Sequence, residues 1–273
     1  MLFADLTLAR RLERTEGNAC RQFAEARRRL FPESGAEWME CAGAYVVFDG
    51  VGSLVTQTFG LGICEELSAA SLDKIEQFFL ERGAQVDHEV CPLAGVAALN
   101  LLCERGYKPI EISNVLYQPV QKSESAVEPK ISVHAILPNE AKLWTEINAK
   151  GWGHELPELI DFMMEMGAMC TAREGSPCFL AEFEGQPGAV GVLSIHEGVA
   201  LFAGATTIPE LRRRGLQSAL LAARMQYAFE HGCDLAMMVA EAGSNSQRNA
   251  ERQGFRVAYT RTKWRLARHL DCK

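Results

Sequence analysis

The chain has 273 residues, 48% of them hydrophobic, and a formal net charge of −7 at pH 7. This length suits two domains of roughly 130 residues better than one large core. An acidic chain without a broad face of lysine and arginine is a poor candidate for sequence-independent binding to nucleic acid. No apolar run reaches the ~18 residues that a membrane span needs, so the sequence predicts neither nucleic acid nor a membrane as a partner.

The N-terminus and the cysteines bear on the cellular compartment. The arginine-rich stretch 1–32 is interrupted by acidic residues and contains no apolar signal core, which predicts an amphipathic helix of the mature protein. The nine cysteines form no C-x-x-C pair and the six histidines do not cluster with them, so no metal site is predicted. An odd number of cysteines without a secretory signal favours reduced thiols and a cytoplasmic location.

A linker and a repeat divide the chain. Residues 121–130 are polar, show no periodicity and contain a proline, which predicts a linker between domains at 1–120 and 131–273. The motif FFLERG, ending at Gly83, parallels YAFEHG, ending at Gly232, 149 residues later. The motif ERGY similarly parallels ERQGF, at an offset of 148 residues. Two matches at nearly one offset predict a duplicated fold.

The second half alternates strand and helix patterns. An alternating strand is predicted at 131–137, and the prolines at 138 and 157 predict the starts of two helices. Strands at 178–183 and 189–195 form a predicted hairpin, which a strand at 199–207 continues. A helix then buries one face, and a short apolar strand follows at 235–239. The predicted buried face of that helix consists of Leu216, Leu220, Ala223 and Tyr227. This order predicts a mixed sheet with helices on both faces.

The segment 201–220 runs from a buried strand through Pro209 into the basic turn 212–215 and then into an apolar-faced helix. The first N–H groups of a helix have no partner within it, and the helix dipole adds roughly half a positive charge there. Gly215 lets an anion approach closely, and three arginines supply attraction and bidentate contacts to oxygen. A surface arginine cluster is the alternative, but the position between a strand and a helix favours a phosphate site.

At these residues the chain resembles the GNAT (N-acetyltransferase) superfamily, and the resemblance covers about 130 residues, 131–266. The family signature is a strand, a proline-containing bend, then arginine or glutamine, two residues, glycine, one residue and a small residue. Residues 212–216 match it, whereas Gln217 stands where the family usually has glycine or alanine. The resemblance implies acetyl-CoA as the cofactor. Its implied contacts on the strand and turn are Ala205, Thr206, Thr207, Arg212, Arg213, Arg214, Gly215, Leu216, Gln217 and Ser218.

The resemblance also implies the fold class and the course of the cofactor. The class is α/β (α+β), with two GNAT-like domains that are each a mixed, mainly antiparallel sheet flanked by helices. The strand ending at Thr207 would splay from the one ending at Val239, and the pantetheine arm would lie in that gap beside Gly204 and Ala205. Alternatively, the small residues there permit only a bulge or close helix packing.

The segment that ends in Gly254-Phe255 is similar to the family's helix that carries a cofactor-contacting asparagine. Asn245 or Asn249 would be the equivalent residue. Asn245 could instead be the N-cap of this helix, a common role for asparagine. Both interpretations stay open on the sequence alone.

Many family members have a tyrosine four residues before that glycine, which protonates the departing CoA thiolate, and this chain has Ala250. Protonating a thiol of pKa about 8.5 at pH 7 is worth roughly 2 kcal/mol, so catalysis can survive the loss. Tyr259 on the following strand, or water, could substitute. For the base that deprotonates the amine, the candidates are Glu241, after the short strand, and Glu155, beside His154 in the loop between the first two helices. Each is also compatible with a solvated loop residue.

The first half lacks the basic turn. At the offset of 149 residues, the turn 212–215 falls on Ile63, Cys64, Glu65 and Glu66, and two carboxylates repel a phosphate. The first half is therefore predicted to be a degenerate copy.

The resemblance thus implies an N-acetyltransferase. Acetyl transfer from acetyl-CoA to a small-molecule or peptide amine of unknown identity would proceed by direct attack. The alternative is a catalytically silent acyl-CoA-binding sensor, which Ala250 makes credible. A third possibility is peptide-bond formation from aminoacyl-tRNA, against which the acidic balance argues. The oligomeric state is left open.

Overall fold

The computed structural model describes residues 3–122, 129–153, 157 and 160–267. It divides into two compact units, the first comprising Met1–Tyr117 with Val239–Lys273 and the second Gln118–Met238. This division differs from the predicted domains in grouping the C-terminal residues with the first half. Residues 123–128 of the predicted linker lie outside the described residues. No helix in the described ranges is long and apolar enough to cross a membrane.

In the second half, the described elements follow the predicted order of strands and helices. The helices are α1 (Leu6–Leu30), α2 (Ala69–Leu80), α3 (Gly95–Glu104), α4 (Ala141–Gly153), α5 (Ile160–Ala172), α6 (Leu216–Glu230) and α7 (Asn245–Arg252). The strands are β1 (Glu37–Cys41), β2 (Ala44–Phe48), β3 (Gln57–Phe59), β4 (Asp87–Val90), β5 (Tyr107–Pro119), β6 (Ile131–Ala135), β7 (Cys178–Phe183), β8 (Gln186–His196), β9 (Val199–Thr207), β10 (Leu235–Glu241) and β11 (Arg256–Leu266). The predicted α/β (α+β) class, with mainly antiparallel strands flanked by helices, is confirmed.

The first unit arranges its strands in the order β1-β2-β3-β4-β11-β5. The β3–β4 pair is parallel, and the other neighbours are antiparallel. The last strand explains the unexpected division, because β11 pairs along its length with β5 and also with β4, so that Thr262 lies between Ile112 and Val90. The predicted N-terminal amphipathic helix is present as α1, where the side chain of Asp5 accepts from the Leu8 N–H at 2.9 Å.

The interior of the first unit also holds ionisable groups. Arg261 of β11 is 2% exposed and lies between three carboxylates. Its Nη1 is 2.7 Å from Glu16 Oε2 and 3.3 Å from Glu13 Oε1, and its Nε is 3.0 Å from Glu89 Oε2. Burial raises the pKa of Glu13 and of Glu89 above the usual carboxyl value, while Arg261 opposes that rise. A buried cation is therefore what keeps these carboxylates stable in the core.

A buried histidine makes the stability of this unit depend on pH. His88 Nε2 lies 3.0 Å from the hydroxyl of Tyr107, which itself donates to Glu76 at 3.2 Å, and His88 Nδ1 has no partner among the described residues. Burial lowers the pKa of His88 from 6.5 to about 3. The unfolded chain therefore binds more protons between these values, so stability is full above pH 6.5 and falls as the pH drops toward 3.

We expect His88 to remove about 2 kcal/mol from the free energy of unfolding between pH 7 and pH 5, at 1.36 kcal/mol per pH unit below 6.5. Urea unfolding at both pH values checks this. His88→Phe should remove that part of the pH dependence, whereas the exposed His231→Asn should keep it. An unchanged difference in His88→Phe would contradict the assignment.

The second unit orders its strands β10-β9-β8-β7-β6. Only the β9–β10 pair is parallel among its described neighbours, and the other pairs are antiparallel. Helices α4 and α6 both pack against β8 and β9. The central strands are buried along most of their length, which fits their apolar sequences.

The repeated order of elements supports the predicted duplication. In the first half α2 is followed by β4, α3 and β5, and in the second α6 is followed by β10, α7 and β11. The equivalent helices end in the same way, because Gly83 and Gly232 both adopt left-handed conformations, as do Gly106 and Gly254. Glycine is the residue that takes this conformation at a helix end without steric cost.

Candidate functional site

The basic turn follows β9 and leads into α6. Strand β9 ends at Thr207, and a single 3₁₀ turn, Pro209–Leu211, precedes the arginines. Arg213 has φ +64° and Gly215 has φ +87°, so two residues of the turn are left-handed. A left-handed conformation costs a non-glycine residue about 1–2 kcal/mol, and such strain concentrates at ligand-binding turns. The turn is anchored by Leu211, which fills the space where Gly188 has no side chain.

The N-terminus of α6 is left open by this turn. Gly215 is the N-cap residue, and no side chain in the described part of the chain caps it. The first intrahelical bond runs from the Ala219 N–H to the Gly215 carbonyl at 3.0 Å, so the N–H groups of Leu216 and Gln217 precede the ladder. These donors and the helix dipole suit an anion.

The charges around the turn are mainly positive. Arg212, Arg213 and Arg214 are all exposed. The nearby carboxylates are matched by lysines, because Lys130 Nζ lies 2.7 Å from Glu184 and Lys150 Nζ lies 3.0 Å from Glu210. The hydrogen bond from Lys130 holds the pKa of Glu184 below its usual value. The three arginines therefore leave a net positive charge at the helix N-terminus.

Thr207 connects the end of β9 to the turn and to α6. Its carbonyl accepts from Arg212 Nε at 3.3 Å, and its Oγ1 accepts from Gln217 Nε2 at 2.7 Å. Arg212 Nη2 also donates to the carbonyl of Gly151 in α4 at 3.4 Å. Gln217, the departure from the family pattern, thus has a structural role: its side chain is fixed on Thr207.

Strand β9 carries a bulge just before the turn. Val190 pairs with Thr206 and Val192 with Ala203, so Gly204 and Ala205 together face the single residue Gly191. Gly204 is left-handed, with φ +57°. The sequence left open whether these small residues form a bulge, and they do.

The ladder between β9 and β10 is short. In the described residues it covers only Leu235–Met237 of β10, opposite Val199–Leu201 of β9. Strand β9 continues for six residues beyond Leu201, through the bulge to Thr207. This early end of the ladder is what the predicted splay requires.

Helix α6 buries part of the predicted face. Leu216 and Leu220 are buried as predicted, Ala223 and Tyr227 are half-buried, and the row at four-residue spacing continues instead through Arg224 and Ala228. The prediction missed Arg224 because it avoided a charged position on the apolar face. An arginine in an otherwise apolar row with a spacing of four is the signal that could have identified Arg224.

Residues 140–255, which include β9, the turn and α6, match the model described as "Acetyltransferase (GNAT) family". The chain contains a GNAT acetyltransferase domain. The resemblance given by the turn is thereby confirmed for this part of the chain.

Solved structures share the fold of this chain. A GCN5-related N-acetyltransferase from Kribbella flavida is 17% identical with a TM-score of 0.63, and the match covers 91% of this chain and 96% of that one. A tandem GNAT protein from the clavulanic acid biosynthesis pathway is 12% identical with a TM-score of 0.57, covering 82% and 79%. A GCN5-related N-acetyltransferase from Sphaerobacter thermophilus is 16% identical with a TM-score of 0.53, covering 96% and 91%. Comparison with curated proteins finds no match.

The asparagines proposed as cofactor contacts lie on α7, in the first unit. Asn245 and Asn249 are both exposed. The N-cap of this helix is Ser244, whose Oγ accepts from the Gln247 N–H at 3.2 Å, so Asn245 is the first helical residue. The capping interpretation of Asn245 was wrong, because serine one position earlier takes that role. Cofactor contact by Asn245 or Asn249 stays a prediction.

The predicted catalytic residues have different surroundings. Glu241 is exposed and, with Glu111 and Ile112, lines a shallow cavity of about 560 Å³ in the first unit. Tyr259 is buried and its hydroxyl donates to Glu13 Oε1 at 2.9 Å. Burial and the charge of Glu13 raise the pKa of Tyr259 well above its usual value. The phenol therefore keeps its proton, which it shares with Glu13 in the core. Glu155 lies outside the described residues, as does His154.

Proposed function

We propose that the GNAT domain binds acetyl-CoA and transfers its acetyl group to an amine acceptor. The observation that carries the proposal is the N-terminus of α6, where an arginine turn precedes N–H groups that no side chain of the described residues caps. A diphosphate is the ligand chemistry that matches this combination of amides, dipole and guanidinium groups.

The residues of this turn would hold the cofactor by its pyrophosphate. The N–H groups of Leu216 and Gln217 would donate to phosphate oxygens, and Arg213 and Arg214 would supply charge. A side chain at position 215 would crowd Ile131, because a Cβ there would lie 3.3 Å from Ile131 Cδ1. The pantetheine arm would follow β9 beyond Leu201, where its ladder with β10 has ended.

Acetyl-CoA would supply an acetyl group activated as a thioester. The amides near Gly204 and Ala205 would donate to the thioester carbonyl, the acceptor nitrogen would bond to the carbonyl carbon, and the C–S bond would break. The proton lost by the amine would go to Glu241 or Glu155, which we keep as candidate bases. With Ala250 in the usual tyrosine position and Tyr259 bound to Glu13, we assign protonation of the thiolate to water.

The first half would not bind a second cofactor. The helix equivalent to α6 is α2, whose N-terminus is capped by Ser68, with the Ser71 N–H donating to Ser68 Oγ at 3.1 Å. Glu65 and Glu66 precede this cap, where the second half has arginines. The cap occupies an N–H group that a phosphate would need, and the two carboxylates repel a phosphate. We therefore infer that the first half is a degenerate copy.

Turnover with a panel of amines tests the proposed function. Purified protein is incubated with acetyl-CoA and with aminoglycosides, polyamines, amino acids or short peptides, and the release of CoA thiol is followed together with acetylation of the amine. We expect at least one amine class to give equimolar thiol and N-acetyl product. Binding of acetyl-CoA without turnover on any amine would favour a silent acyl-CoA sensor, which the alanine at position 250 makes the second candidate.

A further inference from the structure

Arg224 connects α6 to both strands of the bulge. It is 2% exposed. Its Nη1 donates to the carbonyl oxygen of Val192 on β8 at 3.0 Å and to that of Ala203 on β9 at 3.4 Å. Its Nε donates to the Leu220 carbonyl one turn earlier at 3.2 Å. The guanidinium is thus held directly beside the β9 bulge. Unlike the exposed arginines of the turn, it is buried.

The strand opposite the bulge leaves room for this guanidinium. Gly191 is the single β8 residue that faces Gly204 and Ala205. A Cβ at position 191 would lie 3.0 Å from both Cζ and Nη1 of Arg224, which is closer than ordinary van der Waals contact. The guanidinium of Arg224 therefore occupies space that is free because residue 191 is a glycine.

The charge of Arg224 has no carboxylate partner in the part of the chain that the structure describes. Its contacts are backbone carbonyls and the ring of Phe202, whose centroid lies 5.2 Å from Cζ. Burial lowers the pKa of Arg224 to about 10, which still leaves it protonated at neutral pH. A buried cation without a counter-ion is unfavourable for folding, so its presence beside a bulge points to a local role.

We propose that Arg224 is a positioning residue that orients and polarises the peptide unit between Ala203 and Gly204, directing the Gly204 N–H toward the acyl carbonyl of the bound thioester. This inference rests on the proposed function. Arg224 acts through the backbone and does not itself contact the substrate.

The geometry of a peptide bond supports this role. The described chain has no cis peptide, and in a trans peptide the C=O and N–H point in opposite directions. A cation bonded to the Ala203 oxygen therefore fixes the peptide plane with the Gly204 N–H pointing away from Arg224. The same charge-assisted bond draws electron density toward the oxygen, which makes the N–H a stronger donor. Ala203 still pairs with Val192, but Gly204 and Ala205 lie in the bulge opposite the single residue Gly191, so the ladder holds this peptide unit on the Ala203 side only.

The first test needs no substrate. The amide of Gly204 is observed by ¹H–¹⁵N NMR in the ligand-free protein, as wild type and as Arg224→Met, which keeps the volume but removes donors and charge. We expect an upfield shift of the Gly204 amide proton in Arg224→Met, with the Val199 amide unchanged. A Gly204 amide that does not change would overturn the proposal.

The second test compares binding of acetyl-CoA with binding of CoA. We expect Arg224→Met to lower the ratio of these affinities about fivefold while the affinity for CoA stays within twofold, and to reduce kcat about tenfold or more. Arg224→Lys should recover part of both effects. Leu220→Ala, which loosens the same helix row without removing the guanidinium, is the matched control. If Leu220→Ala lowers the affinity ratio as much as Arg224→Met does, the effect comes from packing of the helix, and the proposed role of Arg224 is wrong.

If the wild type binds no acetyl-CoA, the proposed function fails. The chemical shift of the Gly204 amide still tests the role of Arg224 in that case.

Discussion

Gly215→Glu is expected to weaken acetyl-CoA binding by about 100-fold or more. The new carboxylate would stand at the N-cap of α6, where Gly215 is left-handed and exposed. At an effective dielectric constant of about 20, two unit charges 5 Å apart repel by roughly 3 kcal/mol, which corresponds to more than 100-fold in affinity. Isothermal calorimetry of wild type and variant measures the difference.

The matched control lies at the other end of the same helix. Gly232 follows α6, is also left-handed and exposed, and a Cβ added there meets nothing within 4 Å. Gly232→Glu therefore introduces the same charge and a similar left-handed strain without approaching the turn, and it lacks the 3.3 Å contact with Ile131 Cδ1 that a Cβ at position 215 makes. Its acetyl-CoA affinity should stay within about threefold of wild type. A similar loss in both variants would mean that strain in α6, and not repulsion of a phosphate, explains the effect.

Arg261→Met is expected to lower the free energy of unfolding by roughly 3–5 kcal/mol, the usual cost of removing one partner from a buried ion pair. Arg261 lies among Glu13, Glu16 and Glu89, and both Glu13 and Glu89 are buried. Without the guanidinium, Glu13 remains in the core with a hydrogen bond from Tyr259 in place of an ion pair, and Glu89 remains with Lys263, whose Nζ lies 3.4 Å from Glu89 Oε1. Urea unfolding at pH 7 gives the loss.

The same strand supplies the control for this prediction. Arg265 of β11 makes a bidentate pair with the buried Asp87, at 2.8 and 2.7 Å, but its own side chain is 47% exposed, so Arg265→Met should cost less than Arg261→Met, about 1–2 kcal/mol. The loss in Arg261→Met should also be smaller at pH 5 than at pH 7. Carboxyl groups whose pKa is raised in the folded state bind protons at a higher pH in the folded chain than in the unfolded chain. Lowering the pH therefore favours the folded state. A loss that is independent of pH would contradict this account of the cluster.

Sequence reasoning succeeded where the signal is local. The basic turn 212–215 could be predicted because strand end, proline, glycine and helix start are adjacent in the chain, and all of them act on the same few backbone groups. Gly83 and Gly232, which end the two repeated motifs, both lie at helix ends in the structure, and both are left-handed because glycine takes this conformation there without steric cost. Local chemistry of this kind does not depend on how the rest of the chain folds.

It failed where partners are distant in the chain. Nothing near Tyr259 indicates that its hydroxyl will bond to Glu13, 246 residues away. Strand β11 reads as the last strand of the second half, yet its ladder partners are β4 and β5. Arg224 was missed because an arginine in an apolar row is ordinarily exposed, and only the space at Gly191 shows why it is not.

The central claim is that the turn before α6 binds the pyrophosphate of acetyl-CoA, and a calorimetric titration of the wild-type protein tests it most directly. We predict saturable binding of one acetyl-CoA per chain, with an affinity that falls as salt is raised because charged groups make the contact. A titration without heat at several temperatures, accompanied by no change in melting temperature with excess acetyl-CoA, would contradict it.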